Sequence, residues 1–307
     1  MLLIAGTLIY LAIAKEYEPV LLLPMGFGAI MANIPLVFET GGMQPLFELY
    51  EAGIKSELFP LLIFVAVGAM IDFGPLLTNP KMLLFGGAAQ FGIFFTMSMA
   101  ALMGYSLKEA ASIGIIGAAD GPTSIYVATQ FAEHLLAPIS VAAYSYMSLV
   151  PIIQPPVIRA LTTVEERRIR MPYEERSLSK KVKILFPIVV TVIAGLIAPV
   201  SVALVGFLMF GNLLRECGVT DRLAKSAQNE LANLVTILLG ITIGSTMSAD
   251  KFLNFDTIKI ISMGLIAFVF DTAGGVLFAK FLNLFTKNKI NPMVGAAGIS
   301  AFPMPTA

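Results

Sequence analysis

The stretch GAADGPTSIY, residues 117–126, decides how this sequence is interpreted. It places an aspartate, two glycines and a proline in the middle of an apolar segment that extends from about 109 to 130. An α-helix cannot continue through Pro122 without freeing backbone groups from their hydrogen bonds. The stretch therefore predicts a break inside an apolar segment, with Asp120 at the break.

Composition gives the class of protein. Of the 307 residues, 57% are hydrophobic and 13% are charged, and the mean hydropathy is +0.85. These values predict an all-α, polytopic membrane protein in the lipid bilayer. Equal numbers of acidic and basic residues, 20 each, give no reason to expect a nucleic-acid partner. The single Cys217 excludes an internal disulfide framework, and the single His134 is interpreted as a loop residue rather than a proton donor.

Eleven apolar segments follow one another along the chain, several of them interrupted by Gly and Pro. They lie at about 2–14, 19–38, 58–78, 82–104, 109–130, 134–158, 184–198, 200–214, 229–247, 258–283 and 291–305. The first is short for a membrane span and has no small-residue cleavage site after it. It resembles a helix that begins outside this chain more than it resembles a signal peptide.

Charged connections predict the orientation in the membrane. The connection 159–183 carries eight Lys or Arg against four Glu, which predicts a cytoplasmic loop by the positive-inside rule. The connection 39–57 carries four Glu against Lys55 alone and is predicted to lie outside. Four apolar segments lie between these two connections. If all four crossed the membrane, both connections would lie on the same side, so one of the four segments cannot cross. We therefore expect 109–130 to enter from outside and return, because non-helical backbone at membrane depth must be covered by protein or line a wet cavity.

Weak internal similarity predicts two inverted repeats, 1–158 and 184–307, joined by the loop 159–183. Gly68 in VGAMIDFGP matches Gly244 in IGSTMSADKF, and GAAD at 117–120 matches GAAG at 295–298, at an offset of about 176–178 residues. Chance similarity between small residues is the alternative. In the repeat interpretation, a second broken segment beginning at Asn291 enters from the cytoplasm, and the two meet near the midplane, where secondary transporters place their sites.

The side chains of these broken segments favour a small hard cation. Asp120 offers an anionic oxygen, and neutral oxygens come from Thr123, Ser124, Asn291 and Ser300. Such a set suits sodium, or a proton that shares the carboxylate. An ionisable group at this depth is costly and indicates a functional site. The alternative is that Asp120 only caps a helix that begins near Pro122.

The roles of several other polar residues in the apolar segments stay open. Asp271 is either hydrogen-bonded within the bundle or a second ion-binding group. Asp72, near a predicted cytoplasmic end, is a cap, a salt-bridge partner or a transport residue. Tyr144 and Tyr146 are two positions apart and face different sides of a helix, so at most one is expected to reach the Asp120 site.

Four motifs carry a resemblance to a known family. GAADGPTSIY, AAYSYMSLVPIIQPP, GNLLREC with the following AQNELANLVTILLGITIG, and NPMVGAAGISAFPM occur in this order and span nearly the whole chain. The sequence resembles the β subunits of the sodium-translocating biotin-dependent decarboxylases, which act on oxaloacetate, methylmalonyl-CoA and glutaconyl-CoA.

The resemblance implies an activity and a set of site residues. Such a subunit decarboxylates carboxybiotin on a partner and couples this to Na+ export with consumption of one proton. By motif, the family's catalytic residues fall on Asp120 and Tyr146. The cofactor-binding positions fall on Asn291, Gly295 and Ser300, and the Na+ ligands would be Asp120, Asn291 and Ser300. The arginine that the family places shortly after FPM has no counterpart before Ala307.

The resemblance also implies partners and a location. The expected partners are a biotin-carrier subunit, a carboxyltransferase α subunit that selects the acyl substrate, and a small membrane subunit, in an oligomeric complex. The expected location is the cytoplasmic (inner) membrane of a bacterium or archaeon, with multiple spans. The alternative function is a sodium-coupled secondary transporter of an organic anion, which would be complete without such partners.

Overall fold

The structure is a computed structural model and describes residues 1–35, 37, 40–171, 178–286 and 289–297. All regular elements in these ranges are helical, which confirms the all-α prediction. The first half contains α1 Leu2–Ala14, α2 Pro19–Ala32, α3 Gln44–Tyr50, α4 Leu58–Met70, α5 Gly74–Thr78, α6 Leu83–Ala89, α7 Phe91–Leu102, α8 Leu107–Gly114, α9 Gly121–Phe131 and α10 Leu136–Leu161. The second half contains α11 Val164–Arg167, α12 Lys180–Ile197, α13 Val202–Glu216, α14 Asp221–Ser226, α15 Ala232–Ser245, α16 Ala249–Phe252, α17 Phe255–Phe285 and α18 Met293–Ala296.

Several helices are long and apolar enough to cross a membrane. Among the described residues, three single helical spans meet this condition, Leu83–Leu102, Pro199–Glu216 and Phe255–Phe285. Gln44–Lys55 and Leu58–Met70 together form a fourth candidate, which is bent by 56°. About 20 apolar residues are needed to span the hydrocarbon core. Large apolar side chains such as Leu102 and Ile197 are 89% and 80% exposed, which suits contact with lipid. The chain is a membrane protein, as predicted.

The two ends of the helix bundle differ in charge. At the acidic end, Tyr50 donates a hydrogen bond to Glu133, and Tyr105 donates one to Asp256. At the basic end, Lys280 pairs with Glu166 and donates to the carbonyl of Leu161. The acidic end carries the described part of the connection 39–57, and the basic end carries the described part of 159–183. The two connections lie at opposite ends of the helices, which is the arrangement that the charge pattern predicts.

Two helix pairs approach so closely that only glycine fits at their contacts. A methyl group on Gly28 of α2 would lie 2.3 Å from the carbonyl oxygen of Ile241 in α15, and one on Gly244 of α15 would lie 2.1 Å from that of Met25. In the pair α4 and α13, a methyl group on Gly68 would lie 1.8 Å from a backbone oxygen of α13. Small residues allow this approach where lipid supplies no hydrophobic force between helices.

An asparagine joins each of these helix pairs in a matched way. The Asn33 amide donates to the carbonyl of Met247, three residues after Gly244, at 2.8 Å. The Asn212 amide donates to the carbonyl of Ile71, three residues after Gly68, at 2.9 Å. The last carbonyls of a helix have no partner in the helix itself, so these amides satisfy groups that would be costly to bury.

Two further side chains complete the C-terminus of α4. Arg215 donates to the carbonyl of Met70 at 2.6 Å, and Gln228 donates to the carbonyl of Ala69 at 2.5 Å. The motif GNLLREC and the following AQNEL supply Asn212, Arg215 and Gln228. Much of this motif therefore has a structural role, because it satisfies a helix end that lies inside the protein.

The structure differs from the predicted segments at three places. The connection 39–57 contains α3 and a π-helical turn, Glu51–Lys55. The segment 82–104 is interrupted at Gln90, between α6 and α7, although it contains no proline. The segment 58–78 ends its helix at Met70 and resumes at Gly74. Of the segment 291–305, the structure describes only 291–297, which include α18.

Candidate functional site

The segment around Asp120 is a helical hairpin. The hydroxyl of Ser112 in α8 lies 3.5 Å from the carbonyl oxygen of Val127 in α9, so the two helices lie side by side. At the open end of the hairpin, Nε2 of His134 lies 2.9 Å from a carboxylate oxygen of Glu109. The segment 107–131 therefore begins and ends at the acidic end, as predicted for a segment that enters and returns.

The tip of the hairpin is irregular backbone. After α8 the chain tightens into a 3-10 turn, Ile115–Ala118, and Ala119 adopts a left-handed conformation with φ 51°. Asp120 is extended, and α9 begins at Gly121 with Pro122 in its first turn. Proline is favoured there because its missing N–H would have no partner in the helix. This confirms the predicted break.

The carboxylate of Asp120 caps α9. Its Oδ1 accepts a hydrogen bond from the backbone N–H of Thr123 at 3.2 Å, and its Oδ2 accepts one from the Thr123 hydroxyl at 2.7 Å. The capping interpretation is thus confirmed. Each carboxylate oxygen has two lone pairs, so this cap leaves acceptor capacity on both oxygens. Among the described residues, Asp120 has no ion pair with Lys, Arg or His.

Of the two tyrosines considered from the sequence, Tyr144 lies at the start of α9. A methyl group on Gly121 would lie 2.2 Å from the ring carbon that carries the Tyr144 hydroxyl. The Tyr146 hydroxyl instead donates to the carbonyl of Ile261 in α17, and its ring faces Gly264. The structure therefore brings Tyr144 into contact with the residue after Asp120. Sequence reasoning showed only that the two tyrosines face different sides.

Helix α17 contacts both predicted broken segments. A methyl group on Gly117 would lie 2.4 Å from Oδ2 of Asp271, and one on Gly295 would lie 1.9 Å from the carbonyl oxygen of Gly275. Asp271 and Gly275 are four residues apart, which is about 6 Å along a helix. The hairpin tip and α18 are thus brought to neighbouring turns of one helix.

Residues around α18 hold it against two other parts of the chain. The Asn291 amide donates to the carbonyls of Arg167 and Ile169 at 3.0 and 3.1 Å, and its oxygen accepts from the N–H of Met293 at 3.0 Å. Gln154 of α10 donates to the carbonyl of Ala296 at 2.9 Å. Gln154 was not among the predicted site residues, although it is the only amide in the motif AAYSYMSLVPIIQPP.

The predicted site residues are only partly described together. Ser300 lies outside the described residues. Gly295 contacts α17, and Asn291 is bonded to the segment that follows α10. No hydrogen bond between Asp120 and Asn291 is found among the described side chains. Their joint coordination of one ion stays a prediction.

Charged groups at the two ends have ordinary structural partners. The pKa of Glu109 is lowered, chiefly by the hydrogen bonds from the backbone N–H and hydroxyl of Ser106, and further by His134. Asp72 accepts from the N–H of Gly74 at 2.8 Å and lies 3.9 Å from the Arg215 guanidinium. Asp72 therefore forms the salt bridge that the sequence left open, and it accepts from the first N–H of α5, whose N-cap residue is Phe73.

A cavity of about 780 Å³ lies at the basic end, beside the segment that Asn291 holds. Its described lining includes Lys280 and Lys289, together with Glu165, Glu166 and Asn283. The cavity opens between the end of α17 and the segment after α10. It is large enough for a small organic group and offers both charge and amide groups to it.

Comparison with known proteins identifies the family. The model of the Na+-transporting oxaloacetate decarboxylase beta subunit matches residues 1–307. The chain is 54% identical over 304 residues to the methylmalonyl-CoA decarboxylase subunit beta of Veillonella parvula, covering 99% of this chain and 80% of that protein. It is 53% identical over 305 residues to the glutaconyl-CoA decarboxylase subunit beta of Acidaminococcus fermentans, with the same coverage of 99% and 80%.

A third relative is more distant. The oxaloacetate decarboxylase beta chain 2 of Salmonella typhi is 45% identical over 367 residues, covering 99% of this chain and 84% of that protein. These relatives carry the names of three different acyl substrates, so the likeness does not single out one of them. It favours a decarboxylase subunit over a separate organic-anion carrier. The chain belongs to the family of β subunits of the sodium-transporting decarboxylases.

Proposed function

We propose that this chain decarboxylates carboxybiotin presented by a partner subunit and uses the free energy to export Na+, with consumption of a proton. The observation that carries the proposal is the position of Asp120. Its carboxylate lies at the tip of a helical hairpin, in a broken segment, and has no cationic side chain as a partner among the described residues. In a sodium-transporting family, such a group is suited to bind the transported ion.

Sodium would bind to the free lone pairs of the Asp120 carboxylate. Thr123 already directs one hydrogen bond to each oxygen, so the carboxylate is held in one orientation before the ion arrives. Hard oxygen ligands suit a small alkali cation. By resemblance, we assign Asn291 and Ser300 as further ligands and Gly295 as a residue of the cofactor site.

Proton uptake and sodium binding would exclude each other at Asp120. A carboxylate that has taken a proton loses its negative charge and most of its attraction for a cation. Tyr146, by resemblance, would pass the proton, and Tyr144 lies nearer to the start of α9 in this structure. Exclusive occupancy of one group by the two cations would couple their flows.

The basic-end cavity fits the end of a carboxylated cofactor. Carboxybiotin supplies an N-carboxyl group that is lost as CO2. Lys280 pairs with Glu166, and Lys289 donates to the carbonyl of Asn283. Both lysines would have to exchange these partners for the carboxylate of the cofactor, while Asn291 fixes the neighbouring segment. A cation near a carboxylate stabilises it by a charge-assisted hydrogen bond.

We further propose a complex in the cytoplasmic membrane, with a biotin-carrier subunit, a carboxyltransferase α subunit and a small membrane subunit. The basic end, which carries the cavity, would face the cytoplasm. We also propose that 1–158 and 184–307 are inverted repeats around the loop 159–183. The matched amides of Asn33 and Asn212, which join α2 to the end of α15 and α13 to the end of α4, support this proposal.

The test is Asp120→Asn in the purified complex. Asparagine is as good a helix cap as aspartate, so the hairpin tip should stay folded. We expect decarboxylation to lose its dependence on Na+, and Na+ uptake into proteoliposomes to disappear. Asp256→Asn, at the exposed start of α17, is the matched control and should behave as the wild type. A D120N complex with full sodium dependence would contradict the proposal.

A further inference from the structure

Asp271 is a fully buried carboxyl group in the middle of α17, with 0% of its surface exposed. It lies where two breaks in other helices meet α17. One is the interruption at Gln90 between α6 and α7, and the other is the hairpin tip at Gly117. The predicted ion site at Asp120 follows three residues after Gly117.

One oxygen of Asp271 explains the interruption at Gln90. Oδ1 accepts hydrogen bonds from the N–H groups of Gly92 and Ile93, at 2.6 and 3.2 Å. These two groups belong to the first turn of α7 and would otherwise need carbonyls of the preceding turn. A side chain from another helix thus replaces part of the α6–α7 hydrogen-bond ladder, which is a known cause of a kink.

The other oxygen has no hydrogen-bond donor. Oδ2 is buried and lacks a partner among the described residues. A methyl group on Gly117 would lie 2.4 Å from Oδ2 and 3.0 Å from Cβ of Ala267. Oδ2 therefore lies against the hairpin tip without a described donor that would stabilise a negative charge on it.

The titratable groups that face Asp271 supply no compensating positive charge. Helices α6, α7 and α18 contain no titratable residue. From α10, Tyr146 reaches α17 at Ile261 and Gly264, more than one turn away. In the hairpin, the titratable residue closest in sequence to the contact residue Gly117 is Asp120. Lys108 and Glu109 lie at the exposed start of α8, at the other end of the hairpin. None of the ion pairs of the described residues includes Asp271.

We propose that Asp271 is a proton-binding site in this conformation and acts as a neutral positioning residue between α7 and the hairpin tip. A buried carboxylate whose second oxygen has no partner costs far more free energy than the neutral acid does. In this form Oδ1 still accepts from the N–H groups of Gly92 and Ile93, and Oδ2 lies against the hairpin tip at Gly117. Asp271 thereby holds the start of α7 and the residue three before Asp120 in one place.

Asp271→Asn and Asp271→Ala test this proposal in the purified complex. Asparagine replaces a neutral acid by a neutral amide that also has one acceptor and one donor group. We expect D271N to keep the wild-type pH profile of decarboxylation and a half-saturating Na+ concentration within about threefold of the wild type, since about threefold corresponds to less than one hydrogen bond. D271A should melt several degrees lower, because two buried N–H groups lose their acceptor.

Infrared spectroscopy of the same complexes gives a second, independent readout. We expect the wild type to show the carbonyl band of a protonated carboxylic acid that D271N lacks, and the control Asp256→Asn to retain it. A larger change in the pH profile or Na+ requirement of D271N, or a D271N spectrum that lacks no such band, overturns the proposal. The infrared band and the melting temperature do not depend on whether Asp120 binds sodium, so failure of this proposal is distinguishable from failure of the proposed function.

Discussion

Gly275 and Gly295 are in direct backbone contact, although they are separated by the end of α17 and the following connection. A methyl group on Gly275 would lie 2.1 Å from the carbonyl oxygen of Gly295, and one on Gly295 would lie 1.9 Å from that of Gly275. Neither distance can be relieved by rotating a side chain, since both contacted atoms belong to the backbone. Gly295, a predicted residue of the cofactor site, thus has a packing requirement of its own.

Gly295→Ala should destabilise the protein by about 3 kcal/mol or more, because overpacking against backbone forces α18 away from α17. Gly275→Ala should have a similar effect. The measurement is thermal unfolding of the purified complex. Gly87→Ala in α6 is the matched control, since no atom lies within 4 Å of the position that its methyl group would occupy. A G295A complex with the wild-type melting temperature would show that the contact is not tight.

Thr123→Val should weaken sodium activation by about tenfold or more, since the loss of a hydrogen bond to a charged group costs about 1.5–3 kcal/mol. Valine has the shape of threonine, and the backbone N–H that caps Asp120 remains. The measurement is the Na+ concentration that half-saturates decarboxylation. Thr7→Val is the control, because its exposed hydroxyl only donates to Leu3 of its own helix. Equal values for both variants would argue against Thr123 as an orienting group.

Tyr144→Ala should destabilise the protein by about 3 kcal/mol, because it removes a buried ring from Gly121 and leaves a cavity at the hairpin tip. Tyr144→Phe keeps the ring and should unfold at nearly the wild-type temperature. Comparing the two variants separates packing from the chemistry of the hydroxyl. If Y144F unfolds as early as Y144A, the hydroxyl rather than the ring stabilises this region.

Asn212→Ala should cost about 1–3 kcal/mol, because a buried helix-end carbonyl loses its donor. Asn33→Ala is expected to cost a similar amount through Met247. Asn229→Ala provides the control, since its exposed amide only donates to Lys225 of the preceding turn. Unfolding of the three variants in detergent checks the prediction. A cost for N229A as large as that for N212A would contradict it.

Glu109→Gln should remove part of the acid sensitivity of the protein. The pKa of Glu109 is lowered from 4.5 by Ser106 first and then by His134, so its ionised form stabilises the fold. This contribution is present above pH 4.5 and is lost as the pH falls through the lowered value. The E109Q variant should therefore be less stable than the wild type at neutral pH and differ less from it in acid. Glu48→Gln, on exposed α3, is the control in the same unfolding measurements.

The sequence could predict breaks that have a local cause. Gly117, Asp120 and Pro122 are together sufficient to end one helix and begin another, and the structure shows both events. The interruption at Gln90 has no proline or capping side chain, and only Gly86, Gly87 and Gly92 lie around it. Its cause is Asp271, which is 179 residues away from Gly92 in sequence. The local sequence of α6 and α7 therefore does not predict this kink, because its cause is a carboxyl group on another helix.

In the candidate site, too, the features with a local cause were predictable from the sequence and those set by tertiary packing were not. The capping role of Asp120 follows from its position two residues before Pro122. The choice between Tyr144 and Tyr146 depends on how α10 is rotated against α9 and α17, and a spacing of two residues does not contain that angle. The bonds of Asn291 to residues more than 100 positions earlier are likewise set by tertiary packing.

The hairpin geometry also has an electrical consequence. Helix α9 has 11 residues, which rise about 16 Å and place its first residue near the centre of a hydrocarbon core of about 30 Å. An ion that moves between Asp120 and either surface would cross about half of the transmembrane voltage. For a potential of 100 mV this amounts to about 1.1 kcal/mol per elementary charge, or about a sixfold change in apparent sodium affinity. If Asp120 binds the ion as proposed, the depth of this helix start would make the binding equilibrium sensitive to the membrane potential.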